Sequence, residues 1–438
     1  MTELQRRSKK ESQEWRKGRN KMNGKAAKAI AVASVIGLLV TGVAGCGGGS
    51  SDESSDGKIH IQFFQNKPES VDITNELIKD FEAENPNITV EQQNSSDPLT
   101  VLKSRMAKND IPDVVAVNAS NYNDIAQAGI LADQSGTEAY KSVASTDFFP
   151  YLQKLGKVDK DYVVPWAANV QVVLYNKAQF TELGLTVPTT WDEFIDTAKK
   201  AKAAGKTAFE YGWKDSWTAK LVMNAVAGPE LPDDFLNQLQ DGKATFEKSK
   251  EFQTAAKRML ELKPYGQEDA AGTSYDDANN AFANGESVMY IQGIWAIPAV
   301  KAANPDIEIG AFVLPTSSEA NATRLLSAPD SVIGVSNSSK NQEAAQKFLD
   351  FLLSKSAQEK YTTDQNLLSV RSDVPASTDF LQSLKSDYVD KGKTCTYPDS
   401  MFNGASDIAG LTQSFFDNEN VEEYLTAFDT DWATNGIK

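Results

Sequence analysis

The chain has 438 residues, with 60 acidic and 44 basic side chains, two cysteines and one histidine. This length suffices for two or three domains with sizeable cores, and 40% hydrophobic with 24% charged residues excludes wholesale disorder. The net charge of −16 argues against nucleic-acid binding, which needs clustered lysine and arginine. One histidine removes most zinc and iron sites, and two cysteines cannot form a disulfide-rich scaffold or a four-thiolate metal site.

The N-terminal segment has the layout of a signal peptide. Residues 1–28 carry ten Lys or Arg against three Glu, and residues 29–45 are uncharged and largely apolar. The apolar run is short and broken by glycine, which favours a signal peptide, although an uncleaved signal anchor would share this layout. Val43-Ala44-Gly45-Cys46 resembles the lipobox of bacterial lipoproteins, in which the cysteine is acylated and becomes the new N-terminus. We therefore expect a lipoprotein signal peptide over 1–45, lipid on Cys46 and a flexible tether over 46–57.

After the tether, short apolar runs alternate with amphipathic segments. Strands are predicted over 59–64, 88–90 and 114–117. One intervening helix ends at Asn85-Pro86, and the next begins at Asp97-Pro98, where Asp97 is the predicted N-cap. Strand–helix–strand units predict a largely parallel sheet with helices on both faces.

A similar alternation continues towards the C-terminus. Helices are predicted near 191–204 and 252–262, with Thr190 as an N-cap, and a buried strand over 286–291. The run 307–313 is predicted as a strand that returns to the lobe formed by the first three strands. The chain ends in helices from 344 onwards. Trp191 and Trp432 fall within predicted helices, and we interpret both as structural.

Several short motifs occur in a fixed order: FEAENP (81–86), DIPDVV (110–115), AGILAD (128–133), VPW (164–166), LYNK (174–177), PTTWDEF (188–194), FANGE (282–286), GIW (293–295) and the helix 344–354. Together they resemble bacterial ABC-importer substrate-binding proteins of the extracellular sugar-binding type, over about residues 58–371. The run Leu367-Leu368-Ser369-Val370 departs from the family, which usually has Gly and Pro in a turn there.

The resemblance implies an α/β, two-lobed periplasmic-binding-protein-like fold of type II. Each lobe would be a mainly parallel sheet with flanking helices, and hinge strands would join the two. We assign 58–166 plus 312–355 to lobe 1, and 167–311 plus 356–438 to lobe 2. The ligand would lie in the cleft between the lobes and be enclosed by their closure. Such binding needs no catalysis, so we expect no catalytic residue, no cofactor and no metal.

Sugar-binding candidates follow from the chemistry of a pyranose, which offers an apolar face to aromatic rings and hydroxyls to polar side chains. Trp295, just after Gly293, matches the family's position for a stacking aromatic. The other candidates are aromatic residues near a glycine or the lobe crossing and polar residues near predicted strand ends or in the tail: Trp213, Trp217, Trp166, Gln65, Asn66, Lys67, Asn118, Asn169, Asp330 and Asn403. Asp330 is expected in a loop before the apolar run 332–335. His60 is expected at the surface, and Cys395 as a partly buried, unpaired thiol.

Three functions remain open at this point. The first is a monomeric lipoprotein on the outer face of the cytoplasmic membrane, held there by its lipid alone. It would capture an oligosaccharide, with a raffinose-type α-galactoside as the specific guess, and deliver it to the transmembrane subunits of an ABC permease. The alternatives are an anchored glycoside hydrolase, which needs paired carboxylates, and a binding protein of the same fold for a non-sugar solute.

Overall fold

The computed structural model describes residues 57–95, 97–145, 148–320 and 322–437. The predicted signal peptide, Cys46 and nearly all of the tether lie outside these residues. The strands are β1 (Ile59–Gln65), β2 (Ile88–Asn94), β3 (Val114–Asn118), β4 (Val164–Asn176), β5 (Thr207–Glu210), β6 (Ser287–Gly293), β7 (Ile309–Phe312), β8 (Leu325–Val335) and β9 (Thr394–Cys395).

Seventeen α-helices are present in the part of the chain that the structure describes. They are α1 (Val71–Glu84), α2 (Pro98–Ala107), α3 (Ala119–Gln127), α4 (Glu138–Ser142), α5 (Phe148–Gly156), α6 (Lys177–Glu182), α7 (Trp191–Ala203), α8 (Ser216–Ala227), α9 (Phe235–Gln240), α10 (Lys250–Leu262), α11 (Tyr275–Ala283), α12 (Ile297–Ala303), α13 (Gln342–Leu352), α14 (Lys355–Asp364), α15 (Asp379–Leu384), α16 (Ile408–Asn418) and α17 (Val421–Asn435). Within the described ranges, none is both long and apolar enough to cross a membrane.

The strands form a two-lobed α/β fold in which β4 belongs to both sheets. The first sheet has the order β2-β1-β3-β8-β4, and the second contains β4, β6 and β5 with β7 alongside β4. The first half of β4 pairs with β8 from Val164 to Val170. Its second half pairs with β6 from Gln171 onwards and with β7 from Val173. β4 therefore leads the chain directly from one sheet into the other.

Each sheet is mixed, with parallel pairs at one side and antiparallel pairs around β4. β1 runs parallel to β2 and β3, and β5 runs parallel to β6, as helical crossovers require. β8 runs antiparallel to both β3 and β4. The prediction of a mainly parallel sheet therefore holds for β1–β3, while the strands that pass between the sheets add antiparallel pairs.

Two expectations about the later strands are corrected. The predicted returning strand, β7, stays in the second sheet as the partner of β4, and β8 makes the return instead. Asp330 lies within β8 rather than in a loop before it. The sequence pattern hides this because Pro329 and Asp330 interrupt an otherwise apolar run at the position where β8 pairs with β4 through an irregular register.

Several local predictions are confirmed. α1 ends before Asn85-Pro86, and the side chains of Asp97 and Thr190 accept the N–H groups of Thr100 and Glu193 as N-caps. Trp191 and Trp432 are buried in the core of the second sheet. His60 is exposed.

Cys395 is a half-buried free thiol, as predicted. Burial raises the pKa of this thiol to about 12, so it stays protonated and unreactive at neutral pH.

Candidate functional site

A cleft of about 600 Å³ lies where the two sheets meet. The residues that follow β1 and β3 line it, together with the middle of β4 and β8, one face of α8, the turn after β6 and residues 397–408. Because the carboxyl ends of parallel strands β1 and β3 open on the same edge of their sheet, their following loops supply polar groups here. The fold thus brings together side chains from widely separated parts of the chain.

Two tryptophans supply aromatic surface to this cleft. Trp295 lies in the short 3₁₀ turn that follows β6 and is half-buried. Its ring rests directly on Gly293, where an added Cβ would lie 1.9 Å from the indole. Trp217, in the first turn of α8, is 36% exposed, and its ring centroid lies 4.8 Å from that of Tyr275. Both rings can therefore offer an apolar face to a ligand.

A buried ionic network forms one wall. Lys67 Nζ lies 2.7 Å from Asp330 Oδ2, and both residues are 8% exposed. Asn169 Nδ2 donates to Asp330 Oδ1 over 3.3 Å, and the Tyr397 hydroxyl donates to Asn169 Oδ1 over 3.1 Å. Burial disfavours the Lys67 ammonium, but the attraction of Asp330, Tyr361 and Glu69 together with the hydrogen bond to Asp330 outweighs it, so the pKa of Lys67 is raised and its charge is kept.

A second ion pair lies on the α8 side. Lys220 Nζ is 2.7 Å from Asp399 Oδ2, and the Asp399 N–H donates to Asn224 Oδ1 over 3.2 Å. Trp217, Lys220 and Asn224 are spaced at i, i+3 and i+7, so they share one face of α8. Every carboxylate that lines the cleft among the described residues, those of Glu69, Asp330 and Asp399, lies within 4 Å of a lysine.

The structure places most of the predicted site residues on this cleft: Asn66, Lys67, Asn118, Asn169, Trp217, Trp295, Asp330 and Asn403. They come from seven different elements or loops, so their meeting is a property of the fold rather than of sequence proximity. Their side chains can stack on a ring face and donate or accept hydrogen bonds around its edge.

Three predicted residues do not line the cleft. Gln65 is 1% exposed, and its side-chain amide holds the loop by accepting the Lys67 N–H and donating to Gln92. Trp166 is 1% exposed and stacks on Tyr361, with ring centroids 4.1 Å apart. The position of Trp166 at the lobe crossing therefore serves packing.

Trp213 is likewise a core residue. Its ring lies between Tyr211 and Phe416, with centroid distances of 4.3 and 3.9 Å. Although Trp213 and Trp217 flank the same short loop, only Trp217 reaches the cleft, because α8 begins between them at Ser216.

Sequence reasoning missed several residues on the cleft wall, notably Lys220, Asn224, Tyr397 and Asp399. Lys220 and Asn224 could have been predicted from the sequence, since they continue the helical face that Trp217 begins. Tyr397 and Asp399 have no such sequence signal, because residues 397–408 are mostly irregular and their place depends on tertiary contacts.

No group of His, Cys, Asp or Glu among the described residues is arranged to hold a metal ion.

Residues 67–359 match the family model of the bacterial extracellular solute-binding protein, and the chain belongs to this family. The resemblance inferred from its motifs is thereby confirmed.

Among its relatives, the multiple sugar-binding protein of Streptococcus mutans serotype c is 32% identical over 342 residues, covering 76% of this chain and 80% of the relative. The diacetylchitobiose binding protein DasA of Streptomyces coelicolor is 27% identical, covering 75% of this chain and 78% of the relative.

Solved structures of the same fold include the solute-binding protein RafE in complex with raffinose. It superposes with a TM-score of 0.72 at 25% identity and covers 86% of this chain and 99% of its own. The apo form of RafE from Streptococcus pneumoniae gives a TM-score of 0.70, also at 25% identity, and covers 85% of this chain and 97% of its own. These similarities confirm the two-lobed type II fold.

Proposed function

We propose that this protein is the extracellular substrate-binding component of an ABC importer and captures an oligosaccharide in the cleft between its sheets. The observation that carries the proposal is the pairing of Trp217 and Trp295 with buried hydrogen-bonding groups in one cleft of about 600 Å³. Flat aromatic faces suit the C–H face of a pyranose, and ordered polar side chains suit its hydroxyls. The relatives named for multiple sugars, diacetylchitobiose and raffinose support a carbohydrate. A raffinose-type α-galactoside is our specific candidate.

Delivery follows from closure of the two lobes around the sugar, which the transmembrane subunits of a permease would recognise. We retain lobe 1 as 58–166 plus 312–355 and lobe 2 as 167–311 plus 356–438, with one adjustment. Tyr361 of α14 stacks on Trp166, and Lys360 of α14 pairs with Asp80 of α1. These contacts favour placing residues 356–364 with lobe 1. The protein acts as a monomer in this proposal.

The location completes the proposed function. An exported protein that is acylated at Cys46 and held by a flexible tether would stay on the outer face of the cytoplasmic membrane. The lipobox-like motif and the extracellular character of the family support this anchor.

We also propose that the cleft carries out no catalysis. A glycoside hydrolase uses one protonated and one ionised carboxyl group, either side of the scissile bond. Each of the three cleft carboxylates lies within 4 Å of a lysine ammonium group, and a carboxylate in such an ion pair is suited to accept hydrogen bonds from sugar hydroxyls.

The test is a calorimetric titration of the mature protein with sucrose, raffinose, stachyose, maltotriose and chito-oligosaccharides, followed by analysis of the recovered sugars. We expect binding of at least one oligosaccharide and recovery of that sugar intact. Sustained release of shorter sugars would establish the hydrolase instead. Binding of phosphate esters, peptides or metal chelates without binding of any sugar would establish a non-sugar solute.

A further inference from the structure

Part of the cleft wall comes from outside the region that the family model matches. The match ends at residue 359, whereas residues 397–408, here called the C-terminal segment, contribute Tyr397, Asp399, Ser400, Asn403 and Ser406 among other residues to the cleft. The surrounding wall, including Lys67, Asn169, Trp295 and Asp330, comes from the matched region. The cleft therefore combines a family scaffold with a segment to which the family model does not extend.

The C-terminal segment contacts both sides of the cleft. Tyr397 bonds to Asn169 of β4, and Asp399 pairs with Lys220 of α8. Further along, Gly404 lies against the first lobe: a Cβ added to it would be 3.3 Å from Asp124 Oδ2 of α3 and 3.7 Å from Leu99 Cδ1 of α2. The segment thus spans the cleft from the α8 side to the α2–α3 side.

Backbone hydrogen bonds hold this segment in place. The Asn403 N–H donates to the Asn435 carbonyl over 2.9 Å, and the Ile437 N–H donates to the Met401 carbonyl over 2.8 Å. Both partners lie at the end of α17 or just beyond it. The side chains that the segment presents are therefore positioned before a ligand arrives, which reduces the entropy lost on binding.

Asp399 and Lys220 have the chemistry to recognise adjacent hydroxyl groups. Their side chains are 18% and 24% exposed, so a ligand in the cleft can reach them while most solvent is excluded. The carboxylate can accept from one hydroxyl while the ammonium donates to the oxygen of its neighbour. A site built on such groups rejects a sugar whose hydroxyls point elsewhere, because the charges then stay desolvated without a partner.

We propose that the C-terminal segment selects which oligosaccharide this protein binds, with Asp399 and Lys220 together binding two adjacent hydroxyls of one sugar residue. This inference rests on the proposed function, since it assigns the choice of sugar to one element of that same cleft. The scaffold residues, with Trp295 among them, supply affinity that different sugars share.

The test compares Asp399→Asn with Asp241→Asn, which makes the same chemical change in an exposed ion pair with Lys243 outside the cleft. Each variant is titrated with raffinose, melezitose, maltotriose and chitotriose, which all have three sugar units but differ in sugar type, linkage and ring substituents. We expect Asp399→Asn to weaken the tightest-binding sugar by about 10- to 100-fold, the range of a hydrogen bond to a charged group. Sugars that bind poorly should change less than about threefold.

The same panel applied to Trp295→Ala separates selection from shared affinity. This variant should weaken all four sugars by similar factors, leaving their ratios unchanged. If Asp399→Asn lowers the thermal midpoint of unfolding far below that of Asp241→Asn, Asn403→Ala tests the same segment instead. We then expect Asn403→Ala to weaken the tightest-binding sugar more than the other three.

The proposal is overturned if the folded segment variant weakens all four sugars equally, or weakens none more than Asp241→Asn does. These outcomes would leave the proposed function intact. If the unmodified protein binds no sugar in the wider panel, by contrast, the proposed function fails, and the assignment to this segment fails with it. Selective loss of the preferred sugar supports both.

Discussion

Trp295 and the glycine beneath it form one unit of the cleft wall. The indole is half-buried and faces a cleft lined by hydrogen-bonding groups. We expect Trp295→Ala to weaken sugar binding by about 1.5–3 kcal/mol, the effect of removing a central aromatic anchor, and Trp295→Phe to weaken it less. Calorimetric titration measures both variants, with unfolding midpoints as the control for folding. An unchanged dissociation constant in the alanine variant would show that the ring does not contact the ligand.

Gly293 allows Trp295 to occupy its position. The backbone of Gly293 has φ −105°, which any residue can adopt, so only the clash with the ring opposes a side chain there. A Cβ 1.9 Å from the indole would force the ring away. We expect Gly293→Ala to weaken sugar binding by about 1–2 kcal/mol, part of what full truncation of the ring costs.

A double-mutant cycle decides whether this effect passes through Trp295. Once the ring is removed by Trp295→Ala, adding Gly293→Ala should change the affinity by less than about 0.5 kcal/mol. Additive losses in the double variant would mean that the glycine acts by another route.

Single residues also show where sequence reasoning succeeds. Asn66, Lys67 and Asn118 lie on the cleft as expected, because polar groups that follow parallel strands gather at the same edge of a sheet. Asp330 also lines the cleft, but from within β8. Trp166 and Trp213 were misplaced because a tryptophan near a glycine or a lobe crossing has the same sequence signature in a core and on a cleft. Only the packing partners, Tyr361 for Trp166 and Phe416 for Trp213, distinguish the two.

Strand β5 ends in a buried carboxyl group just before the loop that leads to α8. Glu210 is 3% exposed, and burial, helped by the charge of Glu286, raises its pKa to about 7. The folded protein therefore holds this proton at pH values where the unfolded chain has released it. The free energy of unfolding therefore falls as the pH rises from about 4.5 to about 7. Above pH 7 this carboxyl group causes no further change.

Glu210→Gln removes this dependence while preserving the shape of the side chain. Between pH 5 and 7.5, we expect the parent protein to lose roughly 2.5 kcal/mol of unfolding free energy that the variant does not lose. Urea unfolding across this pH range measures the difference, with Glu91→Gln at an exposed position of β2 as the matched control. Parallel pH profiles for the parent and Glu210→Gln would show that the carboxyl group titrates normally.

The elements differ in how far the sequence predicts them. β1 to β3 and their helices follow from apolar periodicity together with the local signals at Asn85-Pro86 and Asp97-Pro98. Asp330 interrupts the apolar run of β8, so the sequence pattern predicts a loop at a position where the strand continues. Apart from Asn403, residues 397–408 could not be placed from the sequence, since long-range bonds to Asn169, Lys220 and Asn435 fix the segment.

The whole molecule depends on its anchor to stay near the membrane in the proposed function. Cys46→Ser removes the acceptor for the lipid, so we expect the protein to pass from the membrane fraction into the surrounding medium. Cys395→Ser is the matched control, because its thiol is half-buried and far along the chain, and it should leave the protein in the membrane fraction. Retention of Cys46→Ser in the membrane would instead indicate an uncleaved signal anchor.

The cleft lies between two lobes that β4 connects. β4 runs through both sheets, and cleft residues come from each side of it, so a ligand that touches both sides stabilises the closed arrangement. A binding protein of this kind needs an ordered cleft and a hinge, and neither requires a metal, a cofactor or a reactive side chain.

The structure of the protein in complex with the tightest-binding sugar of the panel tests this account most directly. We predict one sugar ring stacked on Trp295 or Trp217, with hydroxyls bonded to Lys67, Asp330 or the Lys220–Asp399 pair. A sugar bound outside this cleft, or within it but touching neither tryptophan, would contradict the account.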